Sequence, residues 1–124
     1  MPDHAPRPRR ALPARVTLTL AAVLAAVAPA PAADVAETLA LDNECVRVSL
    51  LVFPPGVASG IHLNGEPEVG IVVEGTLTLV TSARGKEPFG PGQVIYLKTG
   101  TVHDALNETA TPVKVWALNL KKCP

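Results

Sequence analysis

The sequence GVASGIHLNGEPEVGIVVEG, residues 56–75, decides the fold of this chain. His62 and Asn64 lie two residues apart, so on an extended segment both side chains project to the same face. Glu68 follows the Gly-Glu-Pro turn at 65–67 and begins an apolar run rich in β-branched residues, which predicts a strand that starts with a carboxylate. The segment therefore combines ligand-type side chains with the pattern of a β-sheet protein.

A second segment, GQVIYLKTGTVHDALN at residues 92–107, contains His103 and Asn107. Together the two segments resemble the two signature motifs of the cupin superfamily, in which a small β-barrel holds one metal ion. Asn64 stands where the family most often has a second histidine, and Lys98 stands where it has a proline. Asn107 is predicted to be a turn residue that hydrogen-bonds its own backbone.

The rest of the chain predicts an all-β fold. Turn signals recur about every eight to twelve residues, and no segment has a convincing helical period. Glu74 and Gly75 predict a tight hairpin turn with glycine at a positive φ angle. Residues 34–43 fit either an arm or a first edge strand. With the resemblance, the expected architecture is a small cupin-type β-barrel (double-stranded β-helix or jelly roll), with strands at 45–53, 68–73, 76–81, 94–97 and 113–120.

The N-terminal segment has the layout of a secretory signal peptide. Four arginines between positions 7 and 15 lead into an apolar run at 16–28, and Ala30 and Ala32 form an A-x-A cleavage pattern. The run is shorter than the roughly 20 residues that a membrane-spanning helix needs. We therefore expect residues 1–33 to be cleaved and residues 34–124 to form a single cupin barrel domain, located in the periplasm or secreted. Export by the twin-arginine route remains open because of the Arg9–Arg10 pair.

The charge of the predicted mature chain indicates its class of partner. From residue 34 onward there are seven basic and ten acidic residues, a net charge near −3, with no basic cluster. Such a domain lacks the clustered basic residues with which proteins bind nucleic acid. Small molecules or other proteins are the expected partners, with no membrane association after cleavage.

Cys45 and Cys123 are the only cysteines. In an oxidising compartment they could form a disulfide that ties the two ends of the barrel together. The alternative is a buried Cys45 and a solvated Cys123. The sequence favours neither.

The resemblance implies a metal site made of His62, Glu68 and His103, with Asn64 as a weak fourth ligand. His62 and His103 are the only histidines beyond residue 33. Two imidazoles and a carboxylate suit a divalent metal ion such as Fe, Mn, Ni or Zn. The plainer interpretation is two hydrogen-bonded structural histidines and a solvated glutamate.

The resulting hypothesis is an exported single-domain cupin that binds a divalent metal ion and binds or acts on a small molecule. If it is an enzyme, the resemblance implies a metal-dependent dioxygenase, isomerase or decarboxylase. The alternative is a metal-free or non-catalytic barrel that binds or senses a small molecule. Resemblance to small single-domain cupins also implies a homodimer. Phe53, Tyr96 and Trp116 are candidates to line the cavity, and no catalytic acid or base can be named.

Overall fold

The structure, a computed structural model, describes residues 33–124. The predicted signal peptide lies outside the described residues except for its last position. The described part contains no helix long and apolar enough to cross a membrane. Its regular elements are all strands: β1 Ala36–Asp42, β2 Val46–Phe53, β3 His62–Leu63, β4 Glu68–Glu74, β5 Leu77–Thr81, β6 Gly85–Phe89, β7 Val94–Leu97, β8 Val102–Leu106 and β9 Val113–Leu120.

These strands form two antiparallel sheets. The five-stranded sheet has the order β1-β2-β9-β4-β7, and the four-stranded sheet has the order β3-β8-β5-β6. The buried core takes side chains from both sheets, because each sheet has one apolar face that must be removed from water. The all-β prediction is confirmed. The core residues are Phe53, Val72, Ile95, Leu97, Val113 and Val115 from the larger sheet, and Leu77, Leu79 and Ala105 from the smaller one.

The prediction that the strands at 68–73 and 76–81 pair with each other as a hairpin is wrong. β4 pairs with β7 and β9, whereas β5 pairs with β6 and β8, so the chain crosses between sheets at this turn. Gly75 does adopt a positive φ of 78°. A Cβ atom there would lie 2.8 Å from the carbonyl oxygen of Pro112, so glycine is required by packing as well. Two short apolar runs with a glycine between them look the same in sequence whether they form a hairpin or a crossing.

Three strands, β3, β6 and β8, were not among those predicted. β3 has two residues, and β6 contains Gly85 and Pro88, residues with weak strand preference. Their pairing partners, rather than their own composition, hold them in the sheet. For residues 34–43, the edge-strand alternative is correct, since β1 forms the end of the larger sheet.

Cys45 and Cys123 form a disulfide in the structure. Their Cα atoms are 4.5 Å apart, within the range that a disulfide can bridge. Cys45 immediately precedes β2 and Cys123 follows β9, and these two strands are paired along their whole length. The disulfide therefore links β2 and β9 at one end of this strand pair.

Candidate functional site

The strand register brings the two histidines together. His62 on β3 is the direct cross-strand partner of His103 on β8, and their ring centroids are 4.2 Å apart. Directly opposite residues of an antiparallel pair project from the same face of the sheet. Both imidazoles therefore lie on the same side of the sheet, although they come from the two separate sequence motifs; His62 is exposed and His103 is buried.

Glu68 reaches the same cavity from the other sheet. This cavity, called here the interior cavity, has a volume of about 370 Å³. Asn119, the cross-strand neighbour of Glu68, donates a 2.9 Å hydrogen bond from Nδ2 to Oε2 of the carboxylate. The residues around the interior cavity are Asp34, Val35, Glu37, Leu51, Phe53, Ala58, Ser59, His62, Glu68, His103 and Ala105.

The ring of His62 is oriented by the backbone. Its Nδ1 lies 2.7 Å from the carbonyl oxygen of Gly60, and a carbonyl can only accept a hydrogen bond. The neutral ring must therefore carry its proton on Nδ1, which leaves Nε2 with a free lone pair. Metal-binding histidines are commonly fixed in this way, with one nitrogen donating to a carbonyl and the other binding the metal.

His103 is buried, with 4% of its surface exposed. Its Nδ1 has no hydrogen-bond partner within the described residues. Burial lowers the pKa of His103, and the neighbouring His62 lowers it further, whereas Glu68 and the Thr101 backbone oppose the shift. A buried polar atom without a partner is costly, so this nitrogen marks a position where a ligand would be stabilising.

The side chains of His62, Glu68 and His103 are of types that suit a divalent metal ion, but they are farther apart than the ligands of a formed metal site. Within residues 33–124, no three His, Cys, Asp or Glu side chains are grouped closely enough to hold a metal ion. Two neutral imidazoles and one carboxylate are nevertheless donors that such ions accept. Only one oxygen of Glu68 is engaged by Asn119.

Asn64, the predicted fourth ligand, is not among the residues that line the interior cavity. It is only 5% exposed, and its Nδ2 has no partner in the described part of the chain. Its backbone bonds to the β7–β8 loop, donating to the Thr101 carbonyl at 3.0 Å and accepting from the Gly100 amide at 2.8 Å. The structure thus brings three of the four predicted site residues around one cavity.

Two acidic residues of the cavity were not predicted. Asp34 and Glu37 belong to residues 34–43, for which the sequence left an arm and a first edge strand as alternatives. Glu37 accepts hydrogen bonds from Ser49 Oγ at 2.7 Å and from Arg47 at 2.8 Å. The hydrogen bond from Ser49, followed by that from Arg47, lowers the pKa of Glu37. No sequence signal could have found these residues, because only the pairing of β1 with β2 places them there.

Of the three aromatic candidates, Phe53 lines the interior cavity, whereas Tyr96 and Trp116 do not. Beside His103 the cavity adjoins a small apolar space of about 30 Å³. Glu68 and His103 contact both spaces, and Gly70 lines the apolar one. The polar groups therefore lie at the boundary between an accessible cavity and the core.

The family model described as the cupin domain matches residues 49–119, more than half of the chain. The chain belongs to the cupin family. The curated relative "Beta-alanine degradation protein BauB" of Pseudomonas aeruginosa is 33% identical over 78 residues, which cover 61% of this chain and 82% of BauB. The cupin resemblance inferred from the two motifs is confirmed.

Solved cupin structures share the fold. A cupin domain from Bordetella pertussis superposes with a TM-score of 0.63 at 25% identity, covering 75% of this cupin and 99% of that chain. A Cupin 2 conserved barrel domain protein from Salinispora arenicola gives a TM-score of 0.65 at 28% identity, covering 71% of this cupin and 76% of that chain. The double-stranded β-helix is therefore the architecture of this cupin.

Proposed function

We propose that this cupin binds a small molecule in its interior cavity, next to a divalent metal ion held by His62, Glu68 and His103. The observation that carries the proposal is the cross-strand pairing of the two histidines, at 4.2 Å, on the wall of the cavity that Glu68 also lines. When bound, the metal would supply Lewis-acid or redox chemistry to the small molecule.

Several contacts support this assignment. Nε2 of His62 is left available by the Nδ1 contact with Gly60, and Nδ1 of His103 is buried without a partner. Asn119 fixes the orientation of the Glu68 carboxylate through one oxygen. Fe, Mn, Ni and Zn remain the candidate metals, because the donor set suits each of them.

A second candidate is a metal-free barrel that binds or senses a small molecule. Two observations favour it: the described residues contain no three-residue metal-binding group, and Asn64 replaces a family histidine. In that case the two histidines and Glu68 would hydrogen-bond the small molecule directly.

Metal analysis of the mature protein, purified without a chelating resin, separates the two candidates. We expect wild type to carry close to one divalent ion per chain and the His62→Ala, His103→Ala double variant to carry little. Equal metal content in the two proteins would exclude the metal site. The same measurement identifies the metal.

Two further variants test the individual ligands. Glu68→Gln should lower metal affinity by roughly tenfold or more, whereas the matched control Glu66→Gln should not, because Glu66 does not line the interior cavity. Asn64→His should leave metal affinity unchanged, because residue 64 does not line the interior cavity. A gain in affinity would mean that residue 64 does face the metal.

The small molecule can be sought first among compounds related to the curated relative. The name of BauB assigns that protein to β-alanine degradation, so β-alanine and its derivatives are the first compounds to screen. Oxygen uptake or product formation across the panel would indicate an enzyme of the dioxygenase, isomerase or decarboxylase type. Saturable binding without turnover would favour a sensor or binding role.

Export and dimerisation complete the proposal. Residues 1–33 would be removed on export to the periplasm or medium, so the mass of the mature protein should correspond to a start near residue 34.

A homodimer is supported by the edge position of β1, where Leu39 and Leu41 are exposed. Sedimentation of the purified protein at one monomer mass would exclude the dimer.

A further inference from the structure

A second concave site, called here the surface groove, lies at the edge of the two sheets. It has a volume of about 390 Å³ and shares no lining residue with the interior cavity. One wall is the β5–β6 turn at residues 81–84, and the other is the end of β7 with the loop that leads into β8, residues 96–102. Pockets of this size accommodate small organic molecules.

Both walls of the surface groove are held by local hydrogen bonds. Thr81 Oγ1 accepts from the Arg84 amide at 3.2 Å and closes the β5–β6 turn. In the opposite wall, the Lys98 carbonyl accepts from both the amide and the hydroxyl of Thr101, at 3.2 and 2.8 Å. The Gly100 amide donates to the Asn64 carbonyl at 2.8 Å. The groove therefore exists before any ligand binds.

The charge of the surface groove is opposite to that of the chain. Arg84 and Lys98 line it, and no carboxylate does, although acidic residues outnumber basic ones beyond residue 33. Lys98 forms no ion pair with any described residue. Arg84 contacts Glu87 through Nε at 3.3 Å, which leaves its two terminal nitrogens for another acceptor. Two such cations on facing walls attract an anion.

The remaining lining is aromatic and apolar. Tyr96 is 59% exposed, and the exposed Val102 lines the groove with it, whereas the side chain of Leu97 belongs to the buried core. An aromatic face next to cations suits a ligand with a flat apolar part attached to its charged group. The Ser82 hydroxyl adds a hydrogen-bond donor to the same site, whereas the Thr101 hydroxyl already donates to the Lys98 carbonyl.

We propose that the surface groove binds a small aromatic anion, a carboxylate or a phosphate ester. Its charged group lies between Arg84 and Lys98, and its ring lies against Tyr96. This site is separate from the interior cavity and does not depend on a metal. Lys98, which stands in place of the family's proline, supplies one of the two charges.

Titration calorimetry with phenyl phosphate, benzoate and neutral benzyl alcohol tests the proposal. We expect one of the two anions to bind in the millimolar range or tighter, and benzyl alcohol to bind at least about tenfold more weakly, because charge-assisted hydrogen bonds are lost. The stronger of the two anions identifies the ligand as a phosphate ester or a carboxylate. Benzyl alcohol binding as tightly as the anions, or no binding of either anion at millimolar concentrations, would overturn the proposal.

Substitutions locate the binding. Arg84→Gln and Lys98→Gln should each weaken anion binding by about tenfold, and Tyr96→Ala should weaken it as well. Lys122→Gln is the matched control, because it removes an exposed lysine that forms no ion pair among the described residues and does not line the groove. If Lys122→Gln and Lys98→Gln weakened anion binding equally, the effect would be due to net charge alone, and the proposed site would be refuted.

A last variant separates this site from the proposed function. The His62→Ala, His103→Ala double variant should bind phenyl phosphate or benzoate as wild type does, whether or not the protein binds metal. Loss of anion binding in that variant would assign the anion to the interior cavity and overturn the proposal.

Discussion

The interior cavity and the surface groove are similar in volume but opposite in charge and in construction. The interior cavity presents three carboxylates and two histidines, with no lysine or arginine in its lining. The surface groove presents two cations and no carboxylate. The first is built mainly from paired strands, whereas the second is built from turns at strand ends.

Because of this difference, substitutions in the two sites should differ in their effect on stability. A side chain on a paired strand is fixed by its cross-strand neighbours and by core packing, so changing its support affects folding and the site together. A side chain on a hydrogen-bonded surface turn can be changed at little cost to stability.

Removing the disulfide should have the largest effect. The Cys45→Ser, Cys123→Ser double variant loses a bridge between residues 78 positions apart, for which the chain-entropy model gives about 4.5 kcal/mol. The loss should be measured by denaturant unfolding. Hydrogen exchange should increase most in β2 and β9, which the bridge joins. A greater increase in the turns of the surface groove would contradict the contrast.

Asn107→Ala should have the next largest effect. Asn107 is 1% exposed, and its Nδ2 donates to the carbonyls of Phe53 and Thr111 at 2.9 and 2.8 Å. Its Oδ1 accepts from the Thr109 amide at 2.9 Å, which confirms the predicted turn role. Losing these bonds in a buried position should lower the free energy of unfolding by about 3 kcal/mol.

Asn107→Asp provides the matched comparison, because it keeps the oxygen that accepts from Thr109 but loses the donors to Phe53 and Thr111. Anion binding in the surface groove should persist in both variants under conditions where they remain folded. An Asn107→Ala protein as stable as wild type would show that these hydrogen bonds contribute no net stability.

The smallest effect concerns the acidic lining of the interior cavity. Hydrogen bonds from Ser49 and then Arg47 lower the pKa of Glu37 in the folded protein. The stabilisation is therefore complete above the unfolded pKa, about 4.3, and is lost as the pH falls through the lower folded value. Asp42, which also contacts Arg47, and Asp34 in the same cavity carry the other nearby charges.

Thermal melting from pH 7 to pH 3 tests this prediction. Glu37→Gln should lose less stability than wild type as the pH falls, because it lacks the carboxylate whose protonation destabilises the folded state. Glu44→Gln is the control, since Glu44 is exposed and forms no ion pair with the described residues. If the melting temperatures of Glu37→Gln and wild type fell equally as the pH is lowered, the contribution of Glu37 to the pH dependence of stability would be refuted.

Much of the barrel was predictable from local pattern. The alternating apolar runs predicted β2, β4, β5, β7 and β9. The two motifs predicted a metal site of His62, Glu68 and His103; the structure shows that these three residues line one cavity. The pairing of β4 and β5 was predicted wrongly, because a glycine turn has the same local signal in a hairpin and in a sheet crossing. Asp34 and Glu37 were missed because edge strand β1 carries no motif.

The all-β class, the cupin motifs and the residue types of the candidate metal site are evident from the sequence alone, because strand alternation and turn glycines are local properties. Only the tertiary structure decided which strands pair, that Cys45 reaches Cys123, and that Asn64 does not line the interior cavity. It also decided that Arg84 and Lys98 face one groove. These outcomes depend on contacts between residues distant in sequence, and packing of the two sheets, rather than local preference, fixes such contacts.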